Sequence, residues 1–308
     1  MRWNDTASSL GGELNDYLLS ALLGVVEGLT EFLPVSSTAH LRIAESLLGV
    51  DLANGYWKMF SIVIQLGAIL CLPLYFRERI IEFVGDFPRG SRGDRTVANH
   101  PLTLTLIAFV MTAVPSFLLT KTIGKHLESL YVMAWALIIG GIVMWVVDGI
   151  YERSHHRAFA RGKLTEDMEQ MTVGQAIWIG LCQVLSAVFP GTSRSMSTIT
   201  AGELAGMSRP AALEFSFFLS IPTMVAATLY DLWKSMRPHH GEPSAIGAMP
   251  SDMHSWALLV IGFVVSFIVA YGVVAWFMNW VRTRGFTIFA VYRLLLGAFV
   301  LWYAGGGH

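Results

Sequence analysis

Long apolar runs joined by short polar connections form the main pattern of this chain. A helix that spans a membrane needs about 20 mostly apolar residues. Six stretches reach that length without a break: 56–76, 102–120, 131–150, 211–233, 256–281 and 286–303. The pattern predicts an all-α, polytopic membrane protein with six transmembrane helices, which form a single membrane domain over residues 1–308.

Two further apolar stretches, 17–34 and 171–190, are each interrupted by a proline. Pro34 and Pro190 end these helices, because a proline pushes the residue before it out of the α region. Small polar residues follow each proline, and a second short helix is expected over about 36–49 and 193–206. Broken helices at membrane depth occur only where they line a cavity or are buried in protein. We therefore expect two re-entrant helix pairs.

The two halves of the chain resemble each other. Gly24 precedes Pro34 by ten residues, and Gly180 precedes Pro190 by the same distance. Each half has a broken hairpin followed by three spans, an odd number, so the second half should enter from the opposite side. Residues 17–150 and 171–303 are therefore predicted to form an inverted repeat, with a site where the broken helices meet. Chance similarity of apolar segments is the alternative.

Composition and charge narrow the class and give an orientation. Only 14% of residues are charged and the net charge is −1, which argues against nucleic acid and for the lipid bilayer as partner. Most of the arginines and lysines in the connections lie in 77–100, 151–170 and 282–285. By the positive-inside rule these connections are cytoplasmic, so both termini are predicted on the outer side.

The candidate chemistry begins with two acids in an apolar helix. Glu27 and Glu31 are four residues apart, so their carboxylates lie on one helix face. Two like charges in apolar surroundings need a compensating cation. Hard oxygen ligands of this kind favour magnesium or calcium, so we expect Glu27 and Glu31 to hold a divalent cation against a phosphate. A solvated helix face is the alternative.

Polar residues after Pro34 extend this candidate site. Ser36, Ser37 and Thr38 lie where the next helix begins, and its unpaired N–H groups and the hydroxyls suit a phosphorylated ligand. Ser37 is either a nucleophile or an orienting donor. His40 follows as a candidate general acid or base, although a lone histidine is more often structural.

The break at Pro190 supplies an arginine. Thr192, Ser193 and Ser195 are candidate substrate-binding residues, and the guanidinium of Arg194 matches phosphate oxygens. An arginine predicted at membrane depth is a functional hypothesis by default, and a structural pair with Glu203 or Glu27 is the alternative. Gln65, on the first span, either supports the site or packs between helices.

Two segments resemble the signatures of a known family. Residues 27–40, from Glu27 to His40, are similar to the first signature of the undecaprenyl-diphosphate phosphatases, the bacitracin-resistance family. Residues 190–195 and 214–217 resemble two further segments of that family. The resemblance implies a bacterial plasma-membrane (inner-membrane) enzyme that hydrolyses undecaprenyl diphosphate to the monophosphate, recycling the lipid carrier of cell-wall synthesis. It also implies the inverted-repeat fold and often a homodimer.

Two departures from the family pattern leave this expectation in place. Ala39 and Met196-Ser197 stand where family members usually have Gly and Gly-Ala. Neither change removes an acid, a base or the arginine. The rival class is a lipid transporter or flippase without hydrolysis, because inverted repeats are common there. A transporter, however, needs no paired acids, arginine and proton carrier around one phosphate.

The predicted roles follow from these segments. As a hypothesis, Glu27, Glu31, Ser37, His40 and Arg194 are catalytic, with Glu27 and Glu31 also binding the metal. The predicted substrate-binding residues are Ser36, Thr38, Gln65, Thr192, Ser193 and Ser195.

Overall fold

The computed structural model describes residues 16–50, 55–90, 93, 95–119, 129–160, 164–235, 250 and 252–305. Within these residues the chain forms eleven α-helices and two short 3₁₀ helices, Val97–Asn99 and Met168–Gln170. The α-helices are α1 Asp16–Thr30, α2 Ser37–Leu47, α3 Gly55–Tyr75, α4 Arg77–Gly85, α5 Pro101–Leu118, α6 Leu130–Ala160, α7 Val173–Val188, α8 Arg194–Leu204, α9 Arg209–Ser235, α10 Met253–Trp280 and α11 Thr287–Ala304.

The six predicted transmembrane helices are confirmed. In the described part of the chain, α3, α5, α6, α9, α10 and α11 are long and apolar enough to cross a membrane. Their bounds agree with the predicted ones within a few residues, except that α6 continues to Ala160, ten residues beyond its expected end. The polar end of α6 therefore extends a helix into a connection that the hydropathy pattern treats as a loop.

Both predicted breaks are present. The α1–α2 break lies between Thr30 and Ser37, and the α7–α8 break lies between Val188 and Arg194. Helix α1 ends before Pro34, so Glu31 lies just past the last helical residue, although its N–H still bonds the Glu27 carbonyl at 2.9 Å. Whether the two pairs re-enter a membrane stays a prediction.

Several helix contacts between the two halves have a counterpart in which the halves change places. Helix α1 packs against α10, and its counterpart α7 packs against α5. Likewise α3 contacts α10 while α9 contacts α5. The last span of the first half, α6, contacts the last span of the second half, α11. This exchange of partners supports two structural repeats, and their inverted orientation remains a prediction.

The matched glycines lie where backbones of the two halves approach closely. A Cβ on Gly24 would lie 2.7 Å from the Gly262 carbonyl oxygen of α10. A Cβ on Gly180 would lie 2.4 Å from the Ala108 carbonyl oxygen of α5. Both contacts are with backbone, which cannot move aside cheaply. The shared spacing in the sequence therefore reflects the same helix–helix contact made twice.

Polar contacts group the connections at opposite ends of the bundle. At one end, Arg79 pairs with Glu169 at 2.6 Å, and the buried Asp148 accepts hydrogen bonds from the N–H groups of Phe286 and Thr287 at 3.0 Å. The first contact joins 77–100 to 151–170, and the second joins α6, just before 151–170, to the residues that follow 282–285, in agreement with a shared face for these connections. At the other end, Tyr56 donates to the Ser255 carbonyl and Tyr131 to the Ala304 carbonyl, both at 2.7 Å.

We expect Gly180→Ala to lower the free energy of unfolding by about 1–3 kcal/mol, because overpacking forces the backbone contact with Ala108 apart. The measurement is the melting temperature of detergent-purified protein. Gly272→Ala is the matched control, since a Cβ there has no heavy atom within 4 Å and the change should be neutral or stabilising. Equal melting temperatures for the two variants would contradict the close approach.

Candidate active site at the two helix breaks

The two helix breaks meet around one carboxylate. Ser37, the first residue of α2, donates to Glu31 Oε2 at 2.6 Å. Arg194, the first residue of α8, donates from Nη2 to Glu31 Oε1 at 3.0 Å. Residues from both halves of the chain thus contact the same acid. The partner is Glu31, not the Glu203 or Glu27 of the structural alternative.

A serine with an unusual backbone angle directly precedes the second helix of each pair. Ser36 has φ 74° and Ser193 has φ 72°, a left-handed conformation that is uncommon outside glycine. Their hydroxyl oxygens cap the helices by accepting from the N–H groups of Ala39 and Met196, at 3.4 and 3.3 Å. The caps thus equate Ser36 with Ser193, whereas the spacing of the prolines equates Ser36 with Thr192. The stretch from the proline to the start of the next helix is therefore one residue longer in the second break.

A buried arginine on α11 binds backbone carbonyls of both breaks. Arg293 is fully buried and donates to the carbonyls of Pro34 and Gly191, each at 3.2 Å. It also donates to the Ala136 carbonyl of α6 at 3.0 Å. The Pro34 and Gly191 carbonyls lie where the helices break, so Arg293 satisfies backbone groups that lack helical partners. Sequence reasoning missed Arg293, although an arginine inside a predicted span was a sufficient signal.

A cavity of about 740 Å³ opens beside the ion pair. Its polar end is lined by Glu31, Ser37 and Arg194. Its walls come from α5, α7 and α9 and are mostly apolar, with Phe109, Phe117, Leu118, Met224 and Tyr230 among them. A charged end and a long apolar wall suit an amphipathic ligand with an anionic head.

Most of the predicted site residues line this cavity. Those that do are Glu31, Ser36, Ser37, Thr38, Gln65, Ser193 and Arg194. Glu27, His40, Thr192 and Ser195 are not part of the lining. Thr192 and Ser195 are buried at the second break, where the Ser195 hydroxyl donates to the Leu33 carbonyl at 2.9 Å and so ties the two breaks together.

His40 faces α11 instead of the cavity. Its Nδ1 lies 2.7 Å from the Ser36 carbonyl oxygen, so this nitrogen carries the proton and donates. Its Nε2 lies 2.6 Å from the hydroxyl of Tyr292, and the two rings stack with centroids 5.6 Å apart. The ring therefore holds the carbonyl of the left-handed residue that precedes Ser37.

Of the two predicted metal ligands, Glu27 is the one whose carboxylate has no hydrogen-bond partner among the described residues. Its side chain is fully buried, and neither carboxylate oxygen has a hydrogen-bond partner among the described residues. A buried carboxylate without partners needs a proton or a cation. The described residues contain no group of three His, Cys, Asp or Glu side chains arranged to hold a metal. Glu27 and Glu31 fit a hard divalent cation only if phosphate oxygens complete its ligands.

Arg194 keeps donor capacity for a ligand. Its Nε is buried and without a hydrogen-bond partner in the described chain, while Nη1 makes only a long contact of 3.4 Å to the Ser216 carbonyl. The guanidinium carbon lies 5.9 Å from the ring centre of Phe32, a distance at which the ring face attracts a cation. Glu31 and Phe32 thus hold the arginine, and its Nε–H group still has no acceptor among the described residues.

Comparison with known proteins gives a consistent family. The model of the family described as bacitracin resistance protein BacA matches residues 20–299. A protein of Koribacter versatilis named undecaprenyl-diphosphatase is 67% identical over 94% of this chain and 99% of its own length. Proteins of the same name from Caldanaerobacter subterraneus and Persephonella marina are 39% and 37% identical, over 91% and 90% of this chain and 93% and 95% of theirs. This chain belongs to the BacA bacitracin resistance protein family.

Proposed function

We propose that this protein is an integral membrane phosphatase that hydrolyses undecaprenyl diphosphate to undecaprenyl phosphate and inorganic phosphate. The product returns to cell-wall synthesis as the lipid carrier, and its recycling confers bacitracin resistance. The observation that carries the proposal is the contact of Ser37 and Arg194 with Glu31 at the polar end of an apolar cavity. A prenyl diphosphate has the same two parts, an anionic head and an apolar chain.

Ser37 and Glu31 form the reacting pair of this proposal. The Ser37 hydroxyl attacks the terminal phosphorus, and its proton passes to the Glu31 carboxylate 2.6 Å away. The bond from phosphorus to the bridging oxygen breaks, and undecaprenyl phosphate leaves with that proton. Water then attacks phosphoserine and gives a proton to Glu31, the bond from phosphorus to Ser37 Oγ breaks, and Glu31 passes that proton to the serine oxygen. In direct attack by water, Glu31 and Ser37 instead orient the water.

Arg194 stabilises the charge on the transferred phosphoryl group. Phosphoryl transfer depends mostly on positioning and electrostatic stabilisation, so an arginine in a water-poor cavity has a large effect. Its unpaired Nε supports this role. Hydroxyl or N–H groups at Thr38, Ser193 and the neighbouring residues at the two helix starts add further donors to phosphate oxygens.

Glu27 and Glu31 would hold a divalent cation, magnesium or calcium, together with the diphosphate oxygens. Such an ion neutralises phosphate charge and polarises the phosphoryl oxygen. The unpartnered carboxylate of Glu27 supports this assignment. For His40 we propose a positioning role: its hydrogen bond to the Ser36 carbonyl keeps Ser37 at the start of α2.

We further propose that the protein resides in the bacterial inner membrane with both termini on the outer side, as a homodimer. The distribution of arginine and lysine among the connections supports the orientation. With this orientation the cavity, which lies along residues 109–118 of α5 and 223–230 of α9, faces the outer half of the bilayer. A reporter fused to the C-terminus that is active only in the cytoplasm would contradict it.

Detergent-purified protein should release phosphate steadily from undecaprenyl diphosphate and little from undecaprenyl phosphate, whereas a flippase would release none. We expect Arg194→Ala to lose about 10³-fold or more in turnover, because the charge on the transferred phosphoryl group is no longer stabilised. Arg284→Ala, which removes an exposed arginine between α10 and α11, is the control and should keep its activity. Turnover of Arg194→Ala within a few-fold of wild type would remove Arg194 from the mechanism.

Rapid-quench trapping with substrate labelled in the terminal phosphate distinguishes the two routes. We expect labelled phosphate on wild-type protein and none on Ser37→Ala, since Ser37 forms the covalent bond. Ser186→Ala is the control, because Ser186 lines the same cavity but donates to the Gln183 carbonyl. Absence of label on wild type during good turnover would mean direct attack by water.

EDTA should abolish phosphate release, and magnesium should restore it. We expect Glu27→Gln to shift the activity-versus-magnesium curve to higher concentration, because an amide is a weaker ligand for a hard cation than a carboxylate. Glu45→Gln serves as the buried control, since Arg42 and Ser61 already bind that carboxylate. If the Glu27→Gln and wild-type curves superimpose, Glu27 is not a metal ligand.

A further inference from the structure

A second polar group lines the active-site cavity, between α5, α7 and α9. It consists of Gln183 on α7, Thr112 on α5 and Thr223 on α9. Sequence reasoning assigned none of these residues to the site. Gln183 is buried, with 1% of its surface exposed. None of the three side chains is charged, in contrast to the Glu31 and Arg194 end of the cavity.

The hydrogen bonds of this group fix the orientation of the Gln183 amide. The Thr223 hydroxyl donates to the Leu219 carbonyl at 2.7 Å, so toward Gln183 it can only accept. The atom that faces Thr223 is accordingly Nε2, which donates at 3.1 Å. The Thr112 hydroxyl also donates to backbone, where the Ala108 and Gly180 carbonyl oxygens lie 2.9 and 2.8 Å away.

After these contacts, the side-chain oxygen of Gln183, a residue of the cavity lining, still lacks a hydrogen-bond donor in the described part of the chain. Gln183 Oε1 is buried and has no hydrogen-bond partner among the described residues. A buried acceptor without a donor costs about 1–3 kcal/mol, so such an atom is expected to meet a donor when the site works. A diphosphate at neutral pH presents mainly acceptor oxygens, because phosphate is largely ionised there. Water, the second substrate of hydrolysis, presents two O–H donors.

We propose that Gln183 Oε1 accepts a hydrogen bond from the attacking water and orients it toward phosphorus. The proposal rests on the phosphatase function proposed above. In the step concerned, the water oxygen forms a bond to phosphorus and the bond from phosphorus to Ser37 Oγ breaks. The proton released by the water passes to Glu31 and from there to the leaving Ser37 oxygen, 2.6 Å away. Gln183 exchanges no proton, so its contribution is to position the water.

The repeat gives an independent reason for an amide at this position. Gln183 follows Glu27 by 156 residues, the same separation as between Gly24 and Gly180 and between Pro34 and Pro190. Glu27 and Gln183 thus occupy matching places in the two halves. An amide keeps the acceptor oxygen of a carboxylate but not its negative charge, which would repel the diphosphate. The first half therefore supplies the carboxylate at this position, and the second half supplies a neutral acceptor.

Gln183→Met tests the proposal, because methionine has a similar length but no comparable acceptor. We expect kcat for phosphate release from undecaprenyl diphosphate to fall about 10²-fold, with KM within about 3-fold of wild type, since the water and not the lipid loses its contact. Gln183→Glu restores an acceptor, so it should regain part of the lost kcat while its charge raises KM. Gln175→Met is the control, because Gln175 bonds Thr165 and the Ala205 carbonyl away from the cavity.

The outcomes separate a role in catalysis from a structural one. The proposal is overturned if Gln183→Met keeps its kcat, or if the loss appears in KM. It is also overturned if kcat falls only together with the melting temperature and Gln183→Glu regains nothing. Gln175→Met should lower the melting temperature and leave kcat within about 3-fold of wild type. Failure of the phosphatase function itself would be seen separately, as no phosphate release by the wild-type protein.

Discussion

The buried ion pair between Glu31 and Arg194 is the interaction on which the site depends. It joins residues 163 positions apart, and only 4% and 10% of the two side chains are exposed. Taking two charges out of water costs several kcal/mol per ion, and their attraction offsets this only with good geometry and further hydrogen bonds. The pair is therefore weak evidence for stability. Its use is to keep a carboxylate and a guanidinium in place beside a cavity for a phosphorylated lipid.

Backbone groups at the helix breaks set the position of that pair. A break leaves carbonyl and N–H groups without helical partners, and inside a membrane protein these must be satisfied by other protein groups. Arg293 takes the carbonyls of Pro34 and Gly191, and the Ser195 hydroxyl takes that of Leu33. The bonds from Arg293 to Pro34 and from Ser195 to Leu33 each link one half of the chain to the other. The two breaks thus satisfy each other's backbone through the same contacts that bring Glu31 to Arg194.

Sequence reasoning succeeded where the signal is local. The six spans, the two breaks and the short helices after them follow from apolar length, proline and capping residues. It was less reliable for side-chain direction. His40 lies at the polar break as expected, yet its ring points to Ser36 and Tyr292 instead of the cavity. Glu27 shares a helix face with Glu31, but only Glu31 reaches the cavity wall.

The sequence by itself determined the class of protein, the helices, the repeated break and the residues from which a phosphate site could be built. These features depend on hydropathy and on residues within one or two helical turns. Only the tertiary structure decided that Glu31 pairs with Arg194, that Arg293 holds both breaks, and that Gln183, a residue of the cavity lining, has an acceptor oxygen without a hydrogen-bond partner in the described chain. These facts depend on how helices far apart in the chain pack, because packing sets both the partner and the exposure of each polar atom.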